Sequence, residues 1–146
     1  MKTRILIVDD EQEFVQALSE RLVIRDYDVT ATYNGKEAIE EIKAYNYDVV
    51  ILDVRMPGVV GIDVLKEIKH YKPLTEIIML TGHATVETAI EGMKLGAYDY
   101  LIKPCETEDL ITKINGAYNR KADQETRIRE AKVKDIISSP RAALRE

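Results

Sequence analysis

Five short apolar runs rich in β-branched residues recur along the chain, each separated from the next by a stretch of helical periodicity. This alternation restricts the fold more than any other feature. The runs cover residues 4–8, 29–33, 49–52, 77–80 and 98–102, and each has the length and composition of a buried strand. Between them apolar residues fall three and four apart: Phe14, Leu18 and Leu22; Ala38, Ile39 and Ile42; Val64, Leu65 and Ile68; Val86, Ala89, Ile90 and Met93. These predict the core faces of four helices. Strands that alternate with helices form βαβ units with right-handed crossovers, and the resulting parallel sheet is covered on both faces, which is why its strands read as continuously apolar. The predicted fold class is α/β, a doubly wound five-stranded parallel sheet.

A fifth helix is predicted to start at Thr107, whose hydroxyl can cap the first turn while Glu108 and Asp109 suit the positive end of the helix dipole. Its core face is Leu110, Ile111 and Ile114. Helical composition continues past Arg120 to Ile137 and is broken at Ser138-Ser139-Pro140. The chain therefore divides into a domain over residues 1–120 and a charged helical tail or linker over 121–146. The tail reads either as a solvated helix or as a dimerisation helix, since Ile128, Ala131, Ile136 and Ile137 only partly keep heptad spacing.

Length and charge narrow the function. At 146 residues the chain fits one domain with its own core. No apolar run approaches the roughly 18 residues of a membrane span, and the first apolar stretch stops at Asp9-Asp10, short of a signal sequence. A cytoplasmic, membrane-free protein is expected, and the single cysteine, Cys105, suits a reducing compartment. Residues 121–146 hold seven basic and five acidic residues, which leaves 14 basic against 21 acidic for the remainder. An acidic body of this kind carries no nucleic-acid footprint, so direct DNA contact by this segment is not expected. The glycine-rich phosphate loop of ATP-binding proteins is absent.

The chemistry lies at the predicted strand ends. Asp9 and Asp10 follow the first strand and Asp53 the third. Ligands of open α/β sheets bind outside the carboxyl ends of the strands, where the strand order reverses. If the order is 2-1-3-4-5, the three carboxylates converge between the first and third strands. Carboxylates packed together repel, so they imply a hard divalent cation with oxygen ligands, and Mg2+ fits. Thr81-Gly82 and Lys103-Pro104 close the fourth and fifth strands. A hydroxyl, a backbone N–H beside a residue with almost no side chain, and an ammonium are the groups a tetrahedral dianion beside the cation requires. Asp53 then becomes the candidate nucleophile, because the adjacent Asp9 and Asp10 suit the metal, and the product would be an acyl phosphate. His70 and His83 have no partner at metal-ligand spacing, Cys105 reads as a loop thiol, and Met56-Pro57-Gly58 followed by Gly61 reads as a backbone-shaping loop.

Taken together, Ile7-Val8-Asp9-Asp10-Glu11, Leu52-Asp53-Val54-Arg55-Met56-Pro57-Gly58, Thr81-Gly82-His83-Ala84 and Tyr100-Leu101-Ile102-Lys103-Pro104 resemble response-regulator receiver domains of two-component signal transduction, over about residues 3–120. The stretch 81–104 is most similar to receivers of enhancer-binding transcription activators. The resemblance implies a flavodoxin-like fold with strand order 2-1-3-4-5 and a helical C-terminal extension. It implies that Asp53 is the phosphoacceptor, taking a phosphoryl group from the phosphohistidine of a sensor histidine kinase or phosphotransfer protein. Asp10, Asp53 and the backbone carbonyl of Arg55 would hold Mg2+, Asp9 would act through water, and Thr81 and Lys103 would contact the phosphoryl group. Tyr100 corresponds to the switch aromatic that turns inward when Thr81 moves, although plain packing is the other reading of this residue. The Lys103–Pro104 peptide is expected to be cis. Arg55 and His83 occupy the positions that tune phosphoryl lifetime. The signal would leave through the fourth helix, fifth strand and fifth helix to a downstream effector or an output domain outside this segment, with a homodimer on phosphorylation as a further expectation. Such a domain is no enzyme beyond catalysing its own phosphorylation and dephosphorylation. The alternative is a Mg2+-dependent phosphatase of haloacid-dehalogenase type, which also uses Asp, Thr and Lys. In that group, however, the nucleophile follows the first strand with its second Asp two residues on, whereas position 11 here is Glu.

Overall fold

The structure, a computed structural model, describes residues 2–56, 59–82 and 86–138. Its elements are β1 Arg4–Val8, α1 Gln12–Ile24, β2 Asp28–Thr32, α2 Gly35–Ala44, β3 Val49–Leu52, β4 Arg55–Met56, β5 Val59–Val60, α3 Gly61–Tyr71, β6 Glu76–Thr81, α4 Val86–Lys94, β7 Asp99–Ile102 and α5 Thr107–Ser138. The main sheet runs β2-β1-β3-β6-β7, and every pairing in it is parallel. Counting only its own strands this is the order 2-1-3-4-5, the doubly wound flavodoxin-like arrangement. The antiparallel pair β4–β5, with Arg55 opposite Val60, lies outside that sheet and was not expected.

Strand side chains alternate between faces, and the two cores follow that alternation. Leu6, Val8, Val50, Leu52, Ile77 and Met79 point to the face covered by Ala38 and Ile42 of α2 and by Val64, Leu65 and Ile68 of α3. Ile5, Ile7, Val49, Ile51, Ile78 and Leu80 point to the other, covered by Val15, Leu18 and Leu22 of α1 and by Leu110, Ile114 and Ala117 of α5. Each large apolar side chain buried here contributes about 1.5–3 kcal/mol, so the central strands are the most firmly held part of the molecule.

The helix expected around residues 86–93 needs correction. Ala89 is buried, but Ile90 and Met93 are 49% and 43% exposed, so half of the predicted core face of α4 looks outward. Gly92 lets α4 reach the sheet, because a Cβ there would stand 2.3 Å from the Met79 sulfur. At Gly61 a Cβ would fall 2.3 Å from the Val54 Cα and 2.5 Å from its carbonyl oxygen. Only a glycine allows α3 to begin against the backbone that leaves β3. Pro57 and Gly58 of the same loop lie outside the described residues.

The final helix is a single rod of 32 residues, roughly 48 Å long. It starts at Thr107 as expected, but the Leu110 N–H donates to the Glu106 carbonyl at 3.2 Å, which places Glu106 rather than Thr107 at the cap. The helix is tied to the sheet a second time near residue 120. Glu76, 2% exposed, accepts hydrogen bonds from Arg120 Nη2 at 2.8 Å, from Arg120 Nε, and from Lys69 Nζ at 3.1 Å. Lys121 pairs with Asp48 at 3.2 Å. Residues 126–138 are exposed throughout, and the remainder of the predicted helix break, Ser139-Pro140, lies outside the described residues.

An acidic pocket at the carboxyl edge of the sheet

Parallel register sets the site. Val8 of β1 pairs with Leu52 of β3, so the residues that follow, Asp9 and Asp53, emerge side by side, and the Asp53 N–H donates to the Val8 carbonyl at 2.9 Å. Thr81 pairs with Ile102, and the Lys103 N–H donates to the Thr81 carbonyl at 2.9 Å. Four strand ends thereby deliver Asp9, Asp53, Thr81 and Lys103 to one rim. The crossovers from β1 and β3 leave on opposite faces of the sheet, which opens a crevice between these two strands.

Carboxylate oxygens of Asp9, Asp10 and Asp53 lie within 4.8 Å of one another. Asp9 and Asp53 are buried while Asp10 is exposed. Each buried carboxylate is oriented by the backbone two residues on: the Glu11 N–H donates to Asp9 Oδ1 and the Arg55 N–H to Asp53 Oδ1, both at 2.9 Å. These local turns are what Asp side chains favour at a strand end. The other oxygen of each faces Lys103, whose Nζ lies 2.5 Å from Asp9 Oδ2 and 3.6 Å from Asp53 Oδ2. Glu11 Oε1 is also 3.6 Å from that ammonium, which sits 4.2 Å from the centre of the Phe14 ring.

Burial, together with the neighbouring Asp53 charge, raises the Asp9 carboxyl above its ordinary value despite the hydrogen bonds from Lys103 and Glu11. Burial also works against the Lys103 ammonium, but the hydrogen bond it donates to Asp9 and the charges of Asp9, Asp53 and Glu11 outweigh it, and its pKa is raised. Lys103 is therefore a firm cation at neutral pH. One ammonium among three carboxylates leaves an excess of negative charge lined by hard oxygen donors. That donor set fits Mg2+, which binds through carboxylates and keeps several waters. Among the described residues this is the one place where three such ligands converge.

The structure brings together Asp9, Asp10, Asp53, Thr81 and Lys103 as the sequence predicted. Thr81 is 1% exposed, and the space beside Gly82 is open, with nothing within 4 Å of where a Cβ would stand. The Lys103–Pro104 peptide is cis, as expected. Arg55 directs its N–H to Asp53 and its side chain to solvent. His83 lies outside the described residues. Tyr100 stands on β7 at 40% exposure, bordering a surface groove with Ala89, Ile90, Met93 and Lys94. Phe14, a core position by its helical spacing, also faces Lys103. Its place one turn into the helix that follows Asp9-Asp10 is the signal that it reaches the site.

Residues 5–115 match the response regulator receiver domain. The chain belongs to that family. Similarity extends to individual receivers and their host proteins. The chain is 39% identical over 107 residues to the regulatory protein AtoC of Escherichia coli, covering 73% of this chain and 23% of that protein. It spans between 23% and 51% of the length of the first curated relatives it matches. A receiver domain protein (CheY-like) from Methanospirillum hungatei superposes with a TM-score of 0.82 at 26% identity, covering 85% of this chain and 99% of that one. The structure described as adenylate cyclase from Rhodopirellula baltica matches with a TM-score of 0.77 at 29% identity and covers 100% of this chain and 99% of that one. This receiver is thus a component of two-component signalling, similar to receivers of bacterial transcription regulators. Nothing in these comparisons supports the phosphatase reading. No helix among the described residues is long and apolar enough to cross a membrane.

Proposed function

We propose that this receiver is a phosphorylation switch in which Asp53 accepts a phosphoryl group and a surface along the β7 edge of the sheet reports it. The observation that carries the reading is the Lys103 ammonium suspended between Asp9 and Asp53, 3.6 Å from the Asp53 oxygen that the Arg55 N–H leaves free of its own bond. That oxygen attacks the phosphorus of a phosphohistidine on a sensor kinase or phosphotransfer protein. The new P–O bond forms as the P–N bond breaks, and the electron pair leaves with the imidazole. Lys103 and Thr81 hold the phosphoryl oxygens as charge moves onto them. Asp10, Asp53 and the Arg55 carbonyl would hold Mg2+, with Asp9 acting through water. The ion would neutralise the crowded carboxylates and the incoming phosphoryl group.

Switching runs from Thr81 to Tyr100 and onto the surface of α4, β7 and α5. There Ile90, Met93, Tyr100 and Ile102 are exposed, an arrangement suited to an effector protein or a further domain. Arg55 and His83 set the lifetime of the phosphoryl group. Residues 1–120 are the receiver, and the segment after them, helical to Ser138, is a linker on which two phosphorylated copies pair. The setting is the cytoplasm, and the domain turns over only its own phosphoryl group.

Mass spectrometry after incubation with acetyl phosphate and Mg2+ tests the acceptor. One added phosphoryl group is expected, absent from Asp53→Asn and absent when Mg2+ is chelated. A phosphoryl group that survives Asp53→Asn overturns the assignment.

A further inference from the structure

The Lys103 ammonium makes one close contact, to Asp9, and two longer ones, to Asp53 and Glu11. A further side of it rests on the Phe14 ring, 4.2 Å from the ring centre. The side chain is only 11% exposed, so little water takes part in holding it. Phe14 is itself held from below, because the half-buried ring packs against the apolar cluster between the sheet, α1 and α5, as Leu101 and Cys105 also do. An aromatic face attracts a cation without accepting its N–H protons in the way an oxygen does. The three N–H groups of the ammonium therefore remain available to oxygens while the ring restricts where the ammonium can go.

We propose that Phe14 is a positioning residue for phosphoryl transfer: its ring holds the Lys103 ammonium within reach of Asp53 while the oxygen partners of that ammonium change. The proposal rests on Asp53 being the phosphoacceptor. In the structure Lys103 is closer to Asp9 than to Asp53 by 2.5 Å against 3.6 Å. A phosphoryl group on Asp53 requires the ammonium to turn from the first carboxylate towards the second. A four-carbon side chain released from Asp9 would otherwise gain freedom and water. The ring lets the ammonium pivot over a fixed platform instead.

The test uses the full chain with Phe14→Leu, which keeps an apolar side chain and removes the aromatic face, and Phe14→Tyr, which keeps the face. Phe14→Met serves as a second ring-free variant should leucine impair folding. Labelling by acetyl phosphate at saturating Mg2+ is expected to slow about 5- to 10-fold in the ring-free variant, in keeping with a desolvated cation–π contact, and to stay within about twofold in Phe14→Tyr. In a Lys103→Ala background the same replacement should have no further effect, because the ring acts through the ammonium. A second readout needs no phosphodonor. The Lys103 ε-methylene protons should be shifted upfield by the ring in the parent and in Phe14→Tyr, and return to the ordinary lysine position in the ring-free variant. Labelling at the parental rate in a folded ring-free variant overturns the proposal, as does equal slowing in the Lys103→Ala background. If the parent itself takes no label on Asp53, the acceptor reading has failed. An unshifted Lys103 signal in the parent overturns the contact whether or not Asp53 is labelled.

Discussion

At the scale of the residue, three chemically identical carboxylates are given different work by where the backbone leaves them. Asp10 is exposed, whereas Asp9 and Asp53 are buried, each with one oxygen held by a backbone N–H. Only Asp53 also stands beside the buried strand end at Thr81, across the β3–β6 pairing. Thr81 is joined to Lys103 through its own carbonyl and lies on the strand next to Tyr100, so under the proposed function it would link acceptor to reporter. Thr81→Ala should therefore still accept a phosphoryl group on Asp53 to the parental extent while losing the response at Tyr100. Amide chemical-shift changes around Tyr100 on phosphorylation, measured for both proteins, decide the point, and unchanged responses in the variant would sink the coupling. Such a switch is a shift between two populated states, so the loss should be graded.

At the scale of the element, Glu76 joins three pieces of structure: β6, which carries it, α3 through Lys69 and α5 through Arg120. Burial by itself would raise its carboxyl, but the hydrogen bond from Arg120 and the charge and hydrogen bond of Lys69 prevail, and its pKa is lowered below 4.5. A carboxyl lowered by folding contributes stability that is fully present above its unfolded value and lost as pH falls through the folded one. Glu76→Gln is expected to cost on the order of 2 kcal/mol at pH 7, since it leaves the largely buried Lys69 without its counter-charge, while solvent screens the half-exposed Arg120. The gap from the parent should close as pH drops below about 4.5. Denaturant unfolding of both proteins between pH 7 and pH 3 measures it, and a gap that stays constant with pH refutes the role. This tie was invisible in the sequence because its members are 44 positions apart and each is an ordinary surface residue type. Strands buried on both faces were legible because their central positions are apolar, and the site was legible because strand ends collect the polar residues those positions do not hold. The β4–β5 pair escaped because elements of two residues have no periodicity to read. α4 misled for the opposite reason: Ile90 and Met93 keep helical spacing, yet that spacing marks an apolar face without saying whether the sheet or a partner covers it.

At the scale of the whole molecule, the receiver and its last helix are mechanically one object up to about residue 125 and different beyond it. Leu110, Ile114 and Ala117 are buried, and Arg120 and Lys121 reach Glu76 and Asp48. Lys121 also pairs with Glu125 at 2.7 Å. Beyond that the described helix buries nothing, and Ile128, Val133, Ile136 and Ile137 are 44–75% exposed. A helix of this length with no packed face is marginal on its own, so its order depends on the anchored turns before it or on a partner. Deleting residues 126–146 should therefore leave the melting temperature of dilute protein within about 2 °C of the parent and leave Asp53 labelling intact, because a loss of 1 kcal/mol would lower it by roughly 4 °C in a domain of this size. Ending the chain at residue 119 should lower it well beyond that, since Glu76 loses Arg120 and Asp48 loses Lys121. Pairing of two copies through the extension would make the full chain's melting temperature rise with concentration, and the rise should vanish in the shortened one. Calorimetry of the three lengths at two concentrations reads all of this. A fall of more than about 4 °C in the dilute protein ending at residue 125 would mean that the extension packs on the receiver after all.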